Sequence, residues 1–411
     1  MNVGKLKINS WLLMGTIIMG YESVILTGNL ITPHGVLGKS YLGIKGGVVV
    51  EVGEGRPTKL PSSNVLNYRD FTVMPGFIDT HIHGYGGVDS NTGDAGHFLR
   101  TSKGLVKHGV TAFLPSTVTA PHEELLSACR AVRDAVSVWE EGRARREVPG
   151  ARILGIHLEG PYVNPAKKGA QNPAYIREAS TKEILNYLDV AGNLLKMVTL
   201  APEVRGALEA TSLLVSRGVV VSVGHTNATY EEALKAFAAG ASRATHLFNA
   251  MRPIHHRDPG VVIAALESTD VFIELIADFI HLHPATVKFA INHAGTWRTV
   301  LISDAISAAG LPDGEYSLGG LKVIVKGGVA RLESGALAGS TLTLDKAVRN
   351  VTSLGYTLPE VTRMASFNPA RNLRLAGLGD VRPGYRADLV VLDDDLRVVA
   401  TIVDGEVVHE R

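Results

Sequence analysis

The sequence has very little cysteine and almost no net charge. Cys129 is the only cysteine among the 411 residues, so no disulfide can form within one chain. Such chains are typical of reducing compartments, and we expect a cytoplasmic protein in which Cys129 is a small buried residue. The formal net charge of +1 gives no electrostatic reason for binding nucleic acid or an anionic membrane surface.

The sequence also lacks an apolar run long enough to cross a membrane. The nearest approach is at residues 11–19, where an apolar stretch follows Lys5 and Lys7 in the manner of a secretory signal. That stretch is shorter than the roughly 20 residues of a membrane-spanning helix, and no Ala-x-Ala cleavage site follows it. We expect residues 1–20 to be a leader outside the fold, with translation starting at Met19.

Motifs that bind nucleotides or structural zinc are absent as well. There is no Walker-type loop and no set of zinc-finger cysteines, and residues 84–87 lack the spacing of a dinucleotide fingerprint. The chain does have the length for more than one domain. Its 45% hydrophobic and 20% charged residues are the balance of an ordinary globular protein.

Short apolar runs alternate with helical patterns through the middle of the chain. One run ends just before His81, and the others lie at residues 110–114, 153–158, 197–200, 219–223, 243–246, 271–276 and 299–303. Apolar strands joined by helices indicate a parallel sheet, and eight such units predict a (β/α)8 TIM-like barrel over residues 74–371. An open doubly wound sheet is the alternative. Its first strand is usually followed by a Gly-rich loop, where this chain has His-Ile-His.

Both ends of the chain contain short strands separated by glycine turns. Residues 23–27, 41–45 and 47–53 show this pattern, and so do residues 387–393 and 398–408. Asp404 and Gly405 form a strong hairpin signal. We therefore predict a small β-sandwich domain built from residues 21–73 and 372–411.

Polar side chains follow five of the apolar runs. The residues are His81, His83, Glu159, His225, His246 and Asp304. Each could be structural on its own, for example a core histidine bonded to a carbonyl group. In a (β/α)8 barrel, however, the carboxyl ends of the strands meet at one mouth, which would bring all six together. Imidazole and carboxylate ligands suit Zn²⁺ or Fe²⁺, so the pattern predicts a metal site.

Several longer motifs carry a resemblance to a known family. They are His-Leu-Glu-Gly-Pro at 157–161, Lys-Lys-Gly-Ala at 167–170, His-Leu-Phe-Asn-Ala-Met at 246–251, His-His-Arg-Asp-Pro-Gly at 255–260, Ser-Asp-Ala at 303–305 and Leu-Ala-Gly-Ser-Thr-Leu-Thr at 337–343. With Pro-Gly-Phe-Ile-Asp-Thr-His-Ile-His-Gly at 75–84, the chain resembles the amidohydrolase superfamily and, within it, the branch of N-acetylglucosamine-6-phosphate deacetylases. The resemblance covers nearly everything from residue 21 onward.

The resemblance implies a divalent metal cofactor, with Zn or Fe as the expected ion. Glu159, His225 and His246 resemble the ligands of the principal metal. His81 and His83 resemble the pair that completes a second site. Some relatives have Gln in place of the second histidine and use one ion, whereas this chain keeps His83, so one or two ions per subunit are expected.

The resemblance also implies a catalytic residue and a set of substrate contacts. Asp304 resembles the catalytic aspartate. The residues that resemble substrate contacts are Ala170, Gln171, Asn249, Ala250, Arg257, His281, Leu337, Ala338 and Gly339. Arg257 and the Asn249-Ala250 backbone are expected to bind the sugar phosphate. In relatives this arginine reaches the active site of the neighbouring subunit, which implies a homodimer.

Two positions depart from the family pattern. Gln171 stands where relatives usually have a histidine that helps to polarise the acetyl carbonyl group. A glutamine amide can donate a hydrogen bond there, but it cannot carry a proton or a charge. Phe279 stands where glycine is common, and we expect it to reshape the sugar pocket.

The expected reaction is hydrolysis of N-acetylglucosamine-6-phosphate to glucosamine-6-phosphate and acetate. Deacetylation of N-acetylgalactosamine-6-phosphate and other amide hydrolysis of the superfamily are the alternatives within this class. A non-catalytic scaffold on an enzyme fold is the alternative from a different class. The complete ligand set together with Asp304 argues against a scaffold.

Overall fold

The computed structural model describes residues 20–57, 64–147 and 150–411. Residues 1–19, which carry the expectation about the leader, lie outside this part. Within the described ranges, none of the helices combines the length and the apolar character needed to cross a bilayer.

A parallel barrel forms the middle of the chain. Eight parallel strands line it within the described residues: Phe77–Ile82, Val110–Thr117, Ile156–Glu159, Leu195–Leu200, Val220–Val223, Arg243–Ala244, Phe272–Ile276 and Thr299–Ile302. Successive strands pair in parallel from the first to the eighth. The Asp304 N–H donates to the His81 carbonyl oxygen at 2.9 Å, which brings the last strand beside the first and nearly closes the barrel. The prediction of a (β/α)8 barrel is confirmed, and all eight predicted runs are strands.

Helices cover the outside of the barrel. They are Ala95–Leu105, His122–Ala144, Thr181–Ala191, Ala207–Ser216, Tyr230–Ala238, Gly260–Glu267, Pro284–Ala294 and Leu344–Ser353, followed by the short helical segments Leu358–Thr362, Arg363–Phe367 and Asn368–Asn372. The strands are apolar on both faces because these helices bury their outer side. Cys129 lies in the helix His122–Ala144, where burial raises the pKa of its thiol to about 12. A thiol with this pKa is a poor nucleophile, as the sequence indicated.

Strands from both chain ends form one continuous sheet beside the barrel. The strands are Ser23–Thr32, Gly35–Leu37, Ser40–Lys45, Val48–Glu54, Val65–Pro75, Leu389–Leu392, Val398–Val403 and Glu406–Glu410. The strand Val65–Pro75 joins the two ends, because it pairs with Ser23–Thr32 on one side and with Leu389–Leu392 on the other. A separate sheet-rich unit built from both ends is therefore confirmed, while its boundaries at 21–73 and 372–411 stay a prediction.

A small antiparallel sheet follows the last barrel strand. Its three strands are Gly314–Leu318, Leu321–Lys326 and Val329–Leu332. The sequence analysis did not predict this sheet. One face packs on a cluster that includes Val118 and Ile306, so the sheet stands at the mouth of the barrel.

Candidate active site

The six polar residues singled out in the sequence meet at the carboxyl end of the barrel. They form two buried groups, one made of Glu159, His225 and His246 and the other of His81, His83 and Asp304. Within each group the potential ligand atoms all lie within 4.8 Å of one another. The parallel strands produce this convergence, because each residue lies at the end of its strand or within two residues beyond it.

The first group is a compact triangle of one carboxylate and two imidazoles. The Glu159 Oε1 atom lies 3.2 Å from His225 Nε2 and 3.1 Å from His246 Nε2. The two Nε2 atoms are 3.2 Å apart. Two ligands of a tetrahedral zinc ion, each about 2.0–2.1 Å from the metal, lie roughly 3.3 Å apart. The triangle therefore has the dimensions of a metal site.

The second group lies directly beside the first. His81 Nε2 and His83 Nε2 are 3.2 Å apart, and Asp304 Oδ1 lies 3.1 Å from His83 Nε2. The Glu159 carboxylate stands between the two groups, with each of its oxygens 3.4 Å from one of these histidines. Each of the two groups has the residues to hold a metal ion.

Hydrogen bonds on the far side of the His225 and His83 rings fix which imidazole nitrogen faces the site. His225 Nδ1 lies 3.0 Å from the Lys167 carbonyl oxygen, and His83 Nδ1 lies 2.9 Å from the Ser116 carbonyl oxygen. A carbonyl group only accepts, so Nδ1 carries a proton, and a ring in the neutral form then presents its Nε2 lone pair to the site. Lone pairs that face one another at such short range repel unless a cation lies between them. The donor set therefore fits a divalent metal.

Three of the six residues have backbone conformations that non-glycine residues rarely adopt. The φ angles are 47° for His225, 29° for His246 and 50° for Asp304. Each residue lies where the chain turns sharply away from a barrel strand. Strained conformations of this kind cluster at functional sites, where the surrounding structure holds them in place. The turns direct all three side chains into the site, and the unfavourable backbone conformations lower the local stability.

A buried ion pair that sequence reasoning missed supports the second group. Glu274 accepts a hydrogen bond from His81 Nδ1 at 2.9 Å and lies 2.7 Å from the Arg243 guanidinium. Burial would raise the pKa of the Glu274 carboxyl, but Arg243 holds it well below its usual range. The sequence signal was one carboxylate within the apolar run at 271–276. Such a carboxylate orients a metal-binding histidine.

Protons compete with a metal for these nitrogens. Burial would lower the pKa of His81, but the carboxylates of Glu274 and Glu159 raise it well above its ordinary value. Burial would raise the pKa of the Asp304 carboxyl, but the hydrogen bond with His83 and the nearby charge of His81 lower it. The carboxylates are therefore ionised, and metal binding strengthens as rising pH removes the competing protons.

A pocket of about 230 Å³ opens above the two groups. The residues that were predicted as site residues and line it are His83, Glu159, Ala170, Gln171, His225, His246, Asn249, Ala250, His281, Asp304, Leu337 and Gly339. His81 lies fully buried beneath it. The lining also includes Val118 and Leu318, which the sequence analysis did not single out; Leu318 belongs to the unpredicted antiparallel sheet.

Besides His81, three residues that the sequence analysis placed at the site do not line this pocket. Ala338 is fully buried behind the wall that its neighbours form. Arg257 lies on an exposed loop, where its guanidinium is 2.8 Å from His256 Nε2. Phe279 packs against the barrel core with a φ angle of 64°, a conformation that suits the glycine expected there. The expectation that Phe279 reshapes the pocket therefore finds no support in the position of its ring.

The six convergent residues lie in a chain with clear relatives. The sequence model of the amidohydrolase family matches residues 72–408. The N-acetylgalactosamine-6-phosphate deacetylase of Escherichia coli O157:H7 is 40% identical over 386 residues, which are 93% of this chain and 98% of the relative. The N-acetylglucosamine-6-phosphate deacetylase of Bacillus subtilis (strain 168) is 37% identical over 382 residues, 92% of this chain and 95% of the relative.

Solved structures give the same result. A variant of N-acetyl-D-glucosamine-6-phosphate deacetylase from Mycobacterium smegmatis, in complex with N-acetyl-D-glucosamine-6-phosphate, has a TM-score of 0.86 at 38% identity. It covers 95% of this chain and 100% of its own. The deacetylase from Thermotoga maritima has a TM-score of 0.83 at 37% identity and covers 94% of this chain and 100% of its own. The resemblance recognised in the motifs is confirmed, and the chain belongs to the amidohydrolase family of metal-dependent enzymes.

Proposed function

We propose that this protein hydrolyses the N-acetyl group of N-acetylglucosamine-6-phosphate and releases glucosamine-6-phosphate and acetate. The observation that carries the proposal is the position of Asp304, which lines the same pocket as the two ligand groups and lies 3.1 Å from His83. Relatives that match over nearly their whole length are deacetylases of phosphorylated amino sugars. The reaction belongs to the breakdown or recycling of amino sugars.

The metal in this proposal is zinc or iron, with one or two ions per subunit. Glu159, His225 and His246 hold the principal ion, and His81 and His83 hold a second ion with Asp304 nearby. The chemistry that a divalent ion would supply there is polarisation of the acyl carbonyl group and a lower pKa of bound water. Imidazole and carboxylate donors suit both metals, so the ligand set supports either one.

The chain supplies the proton transfers. Asp304 is ionised and accepts a proton from the water that attacks the acetyl carbon. The C–N bond then breaks, and Asp304 returns this proton to the departing nitrogen, so that the sugar leaves as an amine and the acyl group as acetate. The second transfer is needed because an amine is a very poor leaving group as an anion.

The sugar phosphate binds at the outer end of the pocket. We assign it to the backbone at Asn249 and Ala250 and to Arg257, whose planar guanidinium suits a phosphate group. Arg257 projects from an exposed loop and does not reach the pocket of its own chain, which supports a homodimer in which it serves the neighbouring subunit. The remaining proposed substrate contacts are Ala170, Gln171, His281, Leu337 and Gly339, with the buried Ala338 supporting the last two from behind the wall.

A second candidate substrate is N-acetylgalactosamine-6-phosphate. The E. coli relative, which is 40% identical over 93% of this chain, acts on that sugar. The two sugars differ in the orientation of one hydroxyl group. The reducing conditions of the cytoplasm suit the single buried thiol of Cys129 and are the proposed setting for either reaction.

The decisive experiment measures amine release by metal-analysed protein. N-acetylglucosamine-6-phosphate, N-acetylgalactosamine-6-phosphate and the two unphosphorylated sugars are compared at the same concentrations. Strong hydrolysis of N-acetylglucosamine-6-phosphate alone is the expected result. A preference for the galactosamine epimer would transfer the assignment to the second candidate. No hydrolysis of any of the four by metal-loaded protein would overturn the proposal.

A further inference from the structure

The carboxamide of Gln171 makes two short hydrogen bonds inside the active site. The side chain is 2% exposed, and its Oε1 atom accepts from the Thr119 backbone N–H at 2.6 Å. Its Nε2 atom donates to Glu159 Oε2 at 2.6 Å. Gln171 therefore connects the loop after the second barrel strand to a residue of the first ligand group.

The orientation of this amide follows from its partners. A backbone N–H can only donate, so the atom that faces Thr119 has to be the carbonyl oxygen of Gln171. The NH₂ group consequently faces Glu159, whose ionised carboxylate can only accept. Turning the amide over would lose both hydrogen bonds and place oxygen against oxygen. Because both partners are buried, the geometry is held in a single state.

The two oxygens of Glu159 have different surroundings as a result. Oε1 lies between His225 Nε2 and His246 Nε2, at 3.2 and 3.1 Å. Oε2 is bonded to Gln171 and lies 3.4 Å from His83 Nε2. An unrestrained carboxylate could rotate and offer either oxygen, or both, to either group.

We propose that Gln171 is a positioning residue that holds the Glu159 carboxylate so that Oε1 alone points between His225 and His246. It thereby sets the geometry of the principal metal site without being a metal ligand itself. The inference rests on the proposed function only in that the site holds a divalent metal. It differs from the substrate contact assigned to Gln171 above, because it acts through the Glu159 carboxylate and not through the sugar.

The variant Gln171→Met tests this role, because methionine has a similar shape but cannot donate to Glu159. Removal of a residue that hydrogen-bonds to a metal ligand typically weakens metal binding by about 10- to 100-fold, and we expect a loss of Zn²⁺ affinity in this range. Affinity is measured by competition with a chromophoric chelator, in the absence of sugar. Leu318→Ala is the matched control, since it removes a buried side chain from the same pocket without touching Glu159. Its Zn²⁺ affinity is expected to match that of the wild type.

Gln171 is also the only glutamine in the sequence, which permits a direct observation. Protein labelled with ¹⁵N at the glutamine side-chain amide should give one pair of NMR signals. We expect the two amide protons to exchange slowly with water and their signals to shift when Zn²⁺ alone is added. Chemical shifts typical of a solvent-exposed amide, with no change when Zn²⁺ is added, would overturn the proposal even if the Met variant failed to fold.

The two measurements separate this inference from the proposed function. Unchanged Zn²⁺ affinity in Gln171→Met, with a raised KM for the sugar, would show that Gln171 is a substrate contact and would overturn the positioning role. Weakened Zn²⁺ binding in Gln171→Met would support the positioning role even if the wild-type protein hydrolysed no amino sugar.

Discussion

Glu274 accepts a hydrogen bond from His81 at 2.9 Å across 193 positions of the sequence. Glu274 lies in the seventh barrel strand and His81 in the first. The same carboxylate accepts from the His246 backbone N–H at 3.1 Å. One buried acid therefore supports a residue from each of the two ligand groups.

The variant Glu274→Gln should weaken metal binding. A neutral amide orients His81 less firmly and makes its imidazole a weaker donor, for an expected loss of about 10- to 100-fold in metal affinity. Metal content after dialysis is the measurement. Glu203→Gln is the control, because Glu203 also accepts hydrogen bonds at this end of the barrel, from Asn164, Thr226 and Asn227, but forms no hydrogen bond or ion pair with any of the six site residues. Equal metal retention by both variants would contradict the role of Glu274.

The variant Asp304→Asn should bind substrate and turn it over very slowly. An amide cannot accept the proton of the attacking water or return it to the nitrogen, and loss of such a group typically lowers kcat by about 10²- to 10⁴-fold. Steady-state kinetics on N-acetylglucosamine-6-phosphate gives kcat and KM, and metal analysis of the same sample separates lost chemistry from lost metal. Turnover near that of the wild type, with metal bound, would remove Asp304 from the role of base.

The variant Arg257→Ala should raise KM for the phosphorylated sugar with little change in kcat. A charge-assisted hydrogen bond to phosphate contributes about 1.5–3 kcal/mol, so we expect an increase in KM of roughly 10- to 100-fold. The comparison with the unphosphorylated sugar is the control, since Arg257 would contribute nothing to its binding. An unchanged KM for the phosphorylated sugar would exclude Arg257 from the phosphate site.

Mixing two inactive or weakened variants tests whether Arg257 acts across a dimer. In a mixed dimer of Arg257→Ala and Asp304→Asn subunits, the site that keeps Asp304 would receive Arg257 from the other subunit. In co-refolded mixtures, we expect the sites that combine Asp304 of one subunit with Arg257 of the other to have a KM close to that of the wild type. If the activity of the mixture equals the sum of the activities of the separate variants, Arg257 does not act in the active site of the neighbouring subunit.

The parts of the structure that the sequence predicted are those with a strong local signal. The barrel strands were found because strands buried on both faces read as apolar runs, and the polar residues at the ends of those runs gave the ligand set. The sheet over 314–332 was missed because its strands are half exposed, as in Leu321–Lys326, where buried and exposed residues alternate without a long apolar run. Glu274 was missed because its partner His81 lies 193 residues away in the sequence, and no local sequence pattern indicates that the two side chains meet.

Removal of the metal should abolish hydrolysis and lower the unfolding temperature. The ligands of both groups are buried and face one another, so the metal-free protein has to protonate or separate them. A ligand that binds only the folded state stabilises it by about 2.7 kcal/mol at a free concentration of roughly 100 times its Kd. Because protons compete for the same nitrogens, a chelator should strip the metal faster at mildly acidic pH than at pH above neutrality. The measurements are thermal unfolding and amine release before chelation, after chelation and after adding Zn²⁺ or Fe²⁺ back. Full hydrolysis by protein shown to contain no metal would contradict the assignment, whereas recovery with one ion and not the other would identify the metal.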